Sequence, residues 1–236
     1  MRLLLISNST NAGEAYLEYP MPHIKSFFDE KPVKALFIPY AAVTFSYNEY
    51  EAKVKARFNE IGHDIVSVHR CTDPVAAVNE AGAIVVGGGN TFHLLKEMRR
   101  NALLDPIRNK VLSGLPFIGW SAGSNVACPT IMTTNDMPIC DPKGFDALNL
   151  VPFQINPHYL DAHPDGHAGE TREQRIMEFI EANPNTYVLG LRESCMFRIE
   201  NESITLIGPR PVRVFKKGDS IKELQSKDEL TPYLKK

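Results

Sequence analysis

Five short apolar runs set the frame of this chain: "RLLLIS" (2–7), "KALFIPY" (34–40), "HDIVSVH" (63–69), "GAIVVG" (82–87) and "PFIGW" (116–120). They are too short for buried helices and largely lack the polar alternation of a half-wet strand, so they read as strands covered on both faces. Helical periodicity fills the gaps. Tyr47, Tyr50, Val54, Phe58 and Ile61 recur three or four apart, and Phe92, Leu95 and Met98 form an inward stripe after Thr91. "ETREQRIMEFIEANP" (170–184) predicts a third helix, with Ile176, Phe179 and Ile180 inward and Pro184 beyond its end. The expected fold is α/β, with a mainly parallel sheet flanked by helices on both faces. "TYVLGLRE" (186–193), "CMFRIE" (195–200), "SITLIG" (203–208) and "VRVFKKG" (212–218) are hairpin-like and suggest a short antiparallel extension at one edge. No linker, repeat or low-complexity tract interrupts the chain, so one domain over residues 1–236 is expected.

Composition narrows the function classes. A net charge of −2 and a pI near 6.4 leave no basic footprint for nucleic acid. The first apolar run is too short for a signal-peptide core or a membrane span, so neither export nor membrane attachment is expected. Four cysteines without CxxC spacing suggest reduced thiols in a cytoplasmic protein rather than a zinc ribbon or a disulfide framework.

Chemistry concentrates where strands end. "GWSAG" places Ser121 between Gly119 and Gly123 after a buried strand, the Gly-x-Ser-x-Gly pattern of a sharp turn presenting a hydroxyl. A plain strand–turn–helix corner with a small residue is the competing reading. In open α/β sheets, ligands bind beyond the carboxyl ends of the strands, and "GGGN" (87–90) ends another strand there. Its glycine amides, with that of Ala122, are candidate donors to an oxyanion. There is no GxGxxG and no Walker lysine for a nucleotide.

A serine needs a base and a group to orient it. Of seven histidines, His158 in "NPH" has the most constrained setting, whereas His23, His63, His69 and His93 read as ordinary. His158, His163 and His167 with Asp161 or Asp165 offer a rival metal cluster, weakened because Pro-Asp-Gly in "HPDGH" is a turn. Glu193, ending "YVLGLRE", and Asp136, in "TTNDMP", are alternative orienters of the imidazole.

Together "GGGNT", "GWSAG", "NPH" and "LRES", in that order, resemble the peptidase E family, the α-aspartyl dipeptidases of a serine-peptidase group that also contains cyanophycinase. The likeness runs from the first strand to about residue 215. It implies a flavodoxin-like fold related to the class I glutamine amidotransferase domains. It assigns Ser121 as nucleophile, His158 as general base and then acid, and Glu193 as the third member, with Asp136 as an alternative. Gly89 and Ala122 would form the oxyanion hole, with Gly88 possible in place of Gly89. The implied substrates are small peptides with an N-terminal aspartate and a free amino group, cleaved without metal or cofactor by a monomer or small homo-oligomer. Arg172, at a helix start, would fork onto the aspartate carboxylate, and Asn90 and Glu170 would lie near the amino group. The rivals are a cyanophycinase-like hydrolase of β-aspartyl peptides, a non-catalytic domain of the same fold, and a glutamine amidotransferase, disfavoured because the elbow carries no cysteine.

Overall fold

The computed structural model describes residues 1–29, 31–161 and 169–235. In chain order the elements are β1 (Leu3–Ile6), α1 (Met21–Phe27), β2 (Lys34–Ile38), α2 (Tyr47–Glu60), β3 (Asp64–Ser67), α3 (Pro74–Glu80), β4 (Ala83–Val86), α4 (Thr91–Arg100), α5 (Leu104–Leu112) and β5 (Phe117–Trp120). There follow α6 (Ala122–Asn125), β6 (Gln154–Tyr159), α7 (Arg172–Ala182), β7 (Val188–Arg192), β8 (Met196–Glu200), β9 (Ser203–Ile207), β10 (Val212–Phe215) and β11 (Lys222–Leu224).

The main sheet has the order β3-β2-β4-β5-β1-β8-β9. Its first five strands are parallel and the β8–β9 hairpin adds an antiparallel edge beside β1. The continuous apolar runs have a direct cause. Leu3, Leu5, Ile84, Val86 and Phe117 point into one core with α4 and α5, while Leu4, Ile6, Ala83, Val85, Ile118 and Trp120 point into the other with α1 and α2. The inner strands β1, β2, β4 and β5 therefore bury both of their faces, whereas β3, at the edge, buries Ile65 and Ser67 and leaves Asp64 and Val66 half-exposed. On α4 the buried stripe is Leu94, Leu95 and Met98, and Phe92 is only half-buried.

The late strands divide more than the sequence suggests. β8 and β9 extend the main sheet, but β7 and β10 join β6 and β11 in a second sheet of order β11-β10-β7-β6. β6 and β7 run parallel, and β10 and β11 are antiparallel to their neighbours. One face of this sheet (Ile155, Leu189, Leu191, Val212, Val214) joins the core under α4 and α5; the other (Tyr159, Val188, Phe215) is covered by Ile176 and Ile180 of α7. The second sheet thus brings the ends of β6 and β7 to the end of β1. Among the described residues, no helix is long and apolar enough to cross a membrane, and all four cysteines are free.

Candidate active site

The turn after β5 is as tight as its glycines imply. Ser121 has φ 54° and ψ −113°, a conformation open to few residues other than glycine, costing roughly 1–3 kcal/mol. The flanking glycines are required by close approach. A Cβ on Gly119 would lie 2.3 Å from the Gly123 oxygen, and one on Gly123 would lie 2.2 Å from the Val86 oxygen. The helix after the turn is pressed onto the strands, and only hydrogen fits at those two positions. The plain-corner reading does not account for the strained serine.

The hydroxyl meets the imidazole directly. Ser121 Oγ lies 3.0 Å from His158 Nε2, and His158 Nδ1 lies 2.7 Å from Glu193 Oε1. Asp136 is elsewhere: its Oδ2 accepts from Thr91 N (2.8 Å) and Thr91 Oγ1 (2.6 Å) at the start of α4, and from Thr134 Oγ1 (3.1 Å). Of the two acids, Glu193 is the one on the imidazole.

The strand-end glycines face the serine. A Cβ on Gly88 would lie 3.1 Å from Ser121 Cβ, and Gly89 has φ +136° with its α-carbon packed on the Ala41 carbonyl. Tyr50 holds this turn from below by donating its hydroxyl to the Gly88 oxygen at 2.9 Å, while Trp120 Nε1 donates to Tyr50 Oη at 3.2 Å. Burial pushes the Tyr50 phenol up to about 12, which keeps it a neutral donor. Among the described residues, the amides of Gly88, Gly89 and Ala122 donate to no protein acceptor.

Two residues missed in the sequence position the imidazole and the carboxylate. Ser7 and Asn8 follow β1 and are buried. Ser7 Oγ accepts the His158 N–H at 2.9 Å and donates to the Leu191 oxygen at 2.8 Å, stitching β6 to β7. Asn8 Oδ1 accepts the Ser194 N–H at 2.9 Å, fixing the turn that carries Glu193. Ser194 and His158 both have positive φ, 68° and 52°, so these bonds hold backbone that would otherwise relax. The signal was polar residues placed straight after an apolar strand at the ligand-binding end of the sheet. Ser7→Ala leaves the His158 N–H buried and unpaired. We expect kcat to fall about tenfold with little change in KM, and stability to fall by about 1–3 kcal/mol; steady-state kinetics with denaturant titration check both.

One cavity, of about 360 Å³, is lined by Ser121, Ala122, His158, Glu193, Asp136 and Arg172 among others. Arg172 starts α7, a helix capped by Thr171 and Gln174. Burial holds its guanidinium below the ordinary arginine value, Arg175 adds to that, and Asp136 opposes it. Asn90 and Glu170 do not line this cavity as the described residues draw it. Asn90 caps α4, accepting the His93 N–H and donating to the Met137 oxygen; Glu170 faces Arg175 at 3.7 Å, well exposed. Of the rival metal ligands, Asp161 is gripped by Arg192 at 2.7 Å and 2.5 Å, and His158 is occupied as described. His163, Asp165 and His167 lie outside the described residues.

The loop at 129–146 is fastened to α4 through Asp136 and Met137. His93 and His69 are used structurally, bonded to the Tyr40 oxygen and to Ser67 with Asn48.

Fold and site together define an α/β protein with a hydroxyl, an imidazole and a carboxylate in line beyond the strand ends. The profile of peptidase family S51 matches residues 3–207. A protein named peptidase E from Nostoc sp. is 52% identical over 229 residues, covering 97% of this chain and 95% of its own. Another peptidase E, from Salmonella newport, is 49% identical over 226 residues, covering 96% and 98%. The crystal structure of a peptidase from an acI-B1 Actinobacterium superposes with a TM-score of 0.72 at 17% identity, covering 97% of this chain and 96% of its own, a likeness of fold. The chain belongs to peptidase family S51. It is a serine-type peptidase.

Proposed function

We propose that this peptidase is a single α/β domain hydrolysing dipeptides with an N-terminal aspartate, in the cytoplasm, through an acyl-enzyme on Ser121. The observation that carries the reading is the shared cavity: the serine, imidazole and glutamate stand with one guanidinium, Arg172, and one further carboxylate, Asp136. An N-terminal aspartyl residue carries the complementary pair, a β-carboxylate for Arg172 and an α-ammonium for Asp136, whose Oδ1 makes no bond among the described residues.

In this mechanism His158 Nε2 takes the Ser121 proton as Oγ attacks the aspartyl carbonyl carbon. Glu193 accepts the Nδ1–H, which holds the useful tautomer and steadies the imidazolium. The amides of Gly89 and Ala122, with Gly88 alongside, take up the charge developing on the carbonyl oxygen. As the C–N bond breaks, the imidazolium gives its proton to the leaving amine. Water, deprotonated by the same imidazole, then releases aspartate.

The test is a substrate panel of Asp-Leu, Asn-Leu, N-acetyl-Asp-Leu and β-linked Asp-Leu. Asp-Leu should exceed each of the others by about 10²-fold or more in kcat/KM, because each lacks or misplaces one charged partner. In Asp136→Asn the advantage of Asp-Leu over its N-acetyl form should shrink by about tenfold or more. Equal cleavage of α- and β-linked peptides by the wild type would move the assignment to the β-aspartyl class.

A further inference from the structure

A second chamber, of about 500 Å³, shares only Ser121 and His158 with the first. The rings of Tyr16, Phe45, Tyr50 and Trp120 wall it, and Gly88 and Gly89 form part of its floor. Tyr16 stands edge-on to Trp120 and Phe45 edge-on to Tyr50, so the aromatic surface is a packed unit.

Its charged groups are few and unequal. Besides His158 they are Glu49 and Lys53, one turn apart on α2. The Glu49 carboxylate belongs to the α2 capping box, accepting the Ser46 N–H and O–H, and these bonds hold its pKa below the ordinary value. Lys53 has no such commitment. Its Nζ rests 3.9 Å from the centroid of the Tyr16 ring, and among the described residues it forms no ion pair.

We infer that this chamber is the subsite for the residue that leaves. It accepts an apolar side chain, such as that of leucine, methionine or phenylalanine, and Lys53 takes the free α-carboxylate of that residue. The inference rests on the aspartyl reading above: if the charged cavity holds the acyl residue, the departing residue must occupy space that also touches Ser121 and His158. The aromatic walls reward burial of an apolar side chain. The ammonium supplies a counter-charge at the rim, where a dipeptide carries its terminal carboxylate and a longer peptide carries a neutral amide. Preference for dipeptides then follows from one lysine, with no wall needed to block longer chains.

Wild-type protein and Lys53→Met are assayed on Asp-Leu, its C-terminal carboxamide Asp-Leu-NH2, and Asp-Glu. In the wild type, Asp-Leu should exceed both others by about fivefold or more in kcat/KM, a modest factor because Lys53 is exposed. In Lys53→Met the ratio of Asp-Leu to its carboxamide should fall to near one, and Lys53→Arg should restore it. A ratio that is the same in wild type and Lys53→Met overturns the role of Lys53, since general loss of packing would lower both substrates alike. Wild-type Asp-Glu cleaved as fast as Asp-Leu overturns the apolar subsite while leaving the aspartyl reading in place. A wild-type protein that cleaves no Asp-X peptide overturns that reading, a separate result.

Discussion

Ser121→Ala should lower kcat on Asp-Leu by about 10⁴- to 10⁶-fold, with KM within a few-fold of wild type. In the proposed mechanism, removing the hydroxyl removes the atom that forms the acyl bond, and the proposed oxyanion donors can offer only residual help to a water. Folding should survive. Alanine fits wherever serine does at φ 54°, and the Ser121 N–H and C=O, which bond Ile6 O and the amides of Ser124 and Asn125, are retained. If serine and imidazole act as one unit, as proposed, Ser121→Ala combined with His158→Ala should lose no more than the single variant. Single-turnover assays with thermal unfolding as a control decide the matter. Near-wild-type turnover by Ser121→Ala would remove the serine from the chemistry.

The parts legible in the sequence were those fixed by local chemistry. β1, β2, β4 and β5 announced themselves because a strand covered on both faces must be apolar at every position, and Leu3 to Ile6 or Ala83 to Val86 are apolar throughout. The elbow was legible for a related reason: two backbones approach so closely that glycine is compulsory at 119 and 123. The second sheet was not. β6 carries Asn156, Pro157 and His158 in its middle and end, so its pattern resembles a loop, and its pairing with β7 joins segments more than thirty residues apart.

The site divides along the same line. Ser121, His158 and Glu193 each sat in a motif of its own, whereas Ser7 and Asn8 matter only because three strand ends converge. Asn90 misled for an instructive reason. An asparagine immediately before an apolar-periodic segment is first a helix cap, and its side chain is consumed by that task. Asp136 has a different place from the imidazole-orienting one the sequence offered it: it is anchored at Thr91 on one oxygen and lines Arg172's cavity.

Arg172→Met should cost about 10³-fold in kcat/KM on Asp-Leu and far less on Asn-Leu, so that the preference for aspartate over asparagine collapses. A half-buried guanidinium facing a carboxylate through two parallel bonds makes a pair whose disruption costs roughly 3–5 kcal/mol, most of it from leaving the substrate charge without a partner. Stability should move by less than about 1 kcal/mol, and the helix explains why. Arg172 occupies the first position of α7, where the exposed backbone N–H groups already make the helix end positive, so a cation there does nothing for the helix. The capping box of Thr171 and Gln174 holds that end instead. A side chain that its own helix does not need, lining a cavity shared with Ser121, supports the anionic ligand proposed above. Arg172→Lys separates charge from geometry: an ammonium keeps the attraction but lacks the planar fork, so it should recover only part of the loss. If Arg172→Met lowers Asp-Leu and Asn-Leu by the same factor, the aspartate carboxylate is held elsewhere in the cavity.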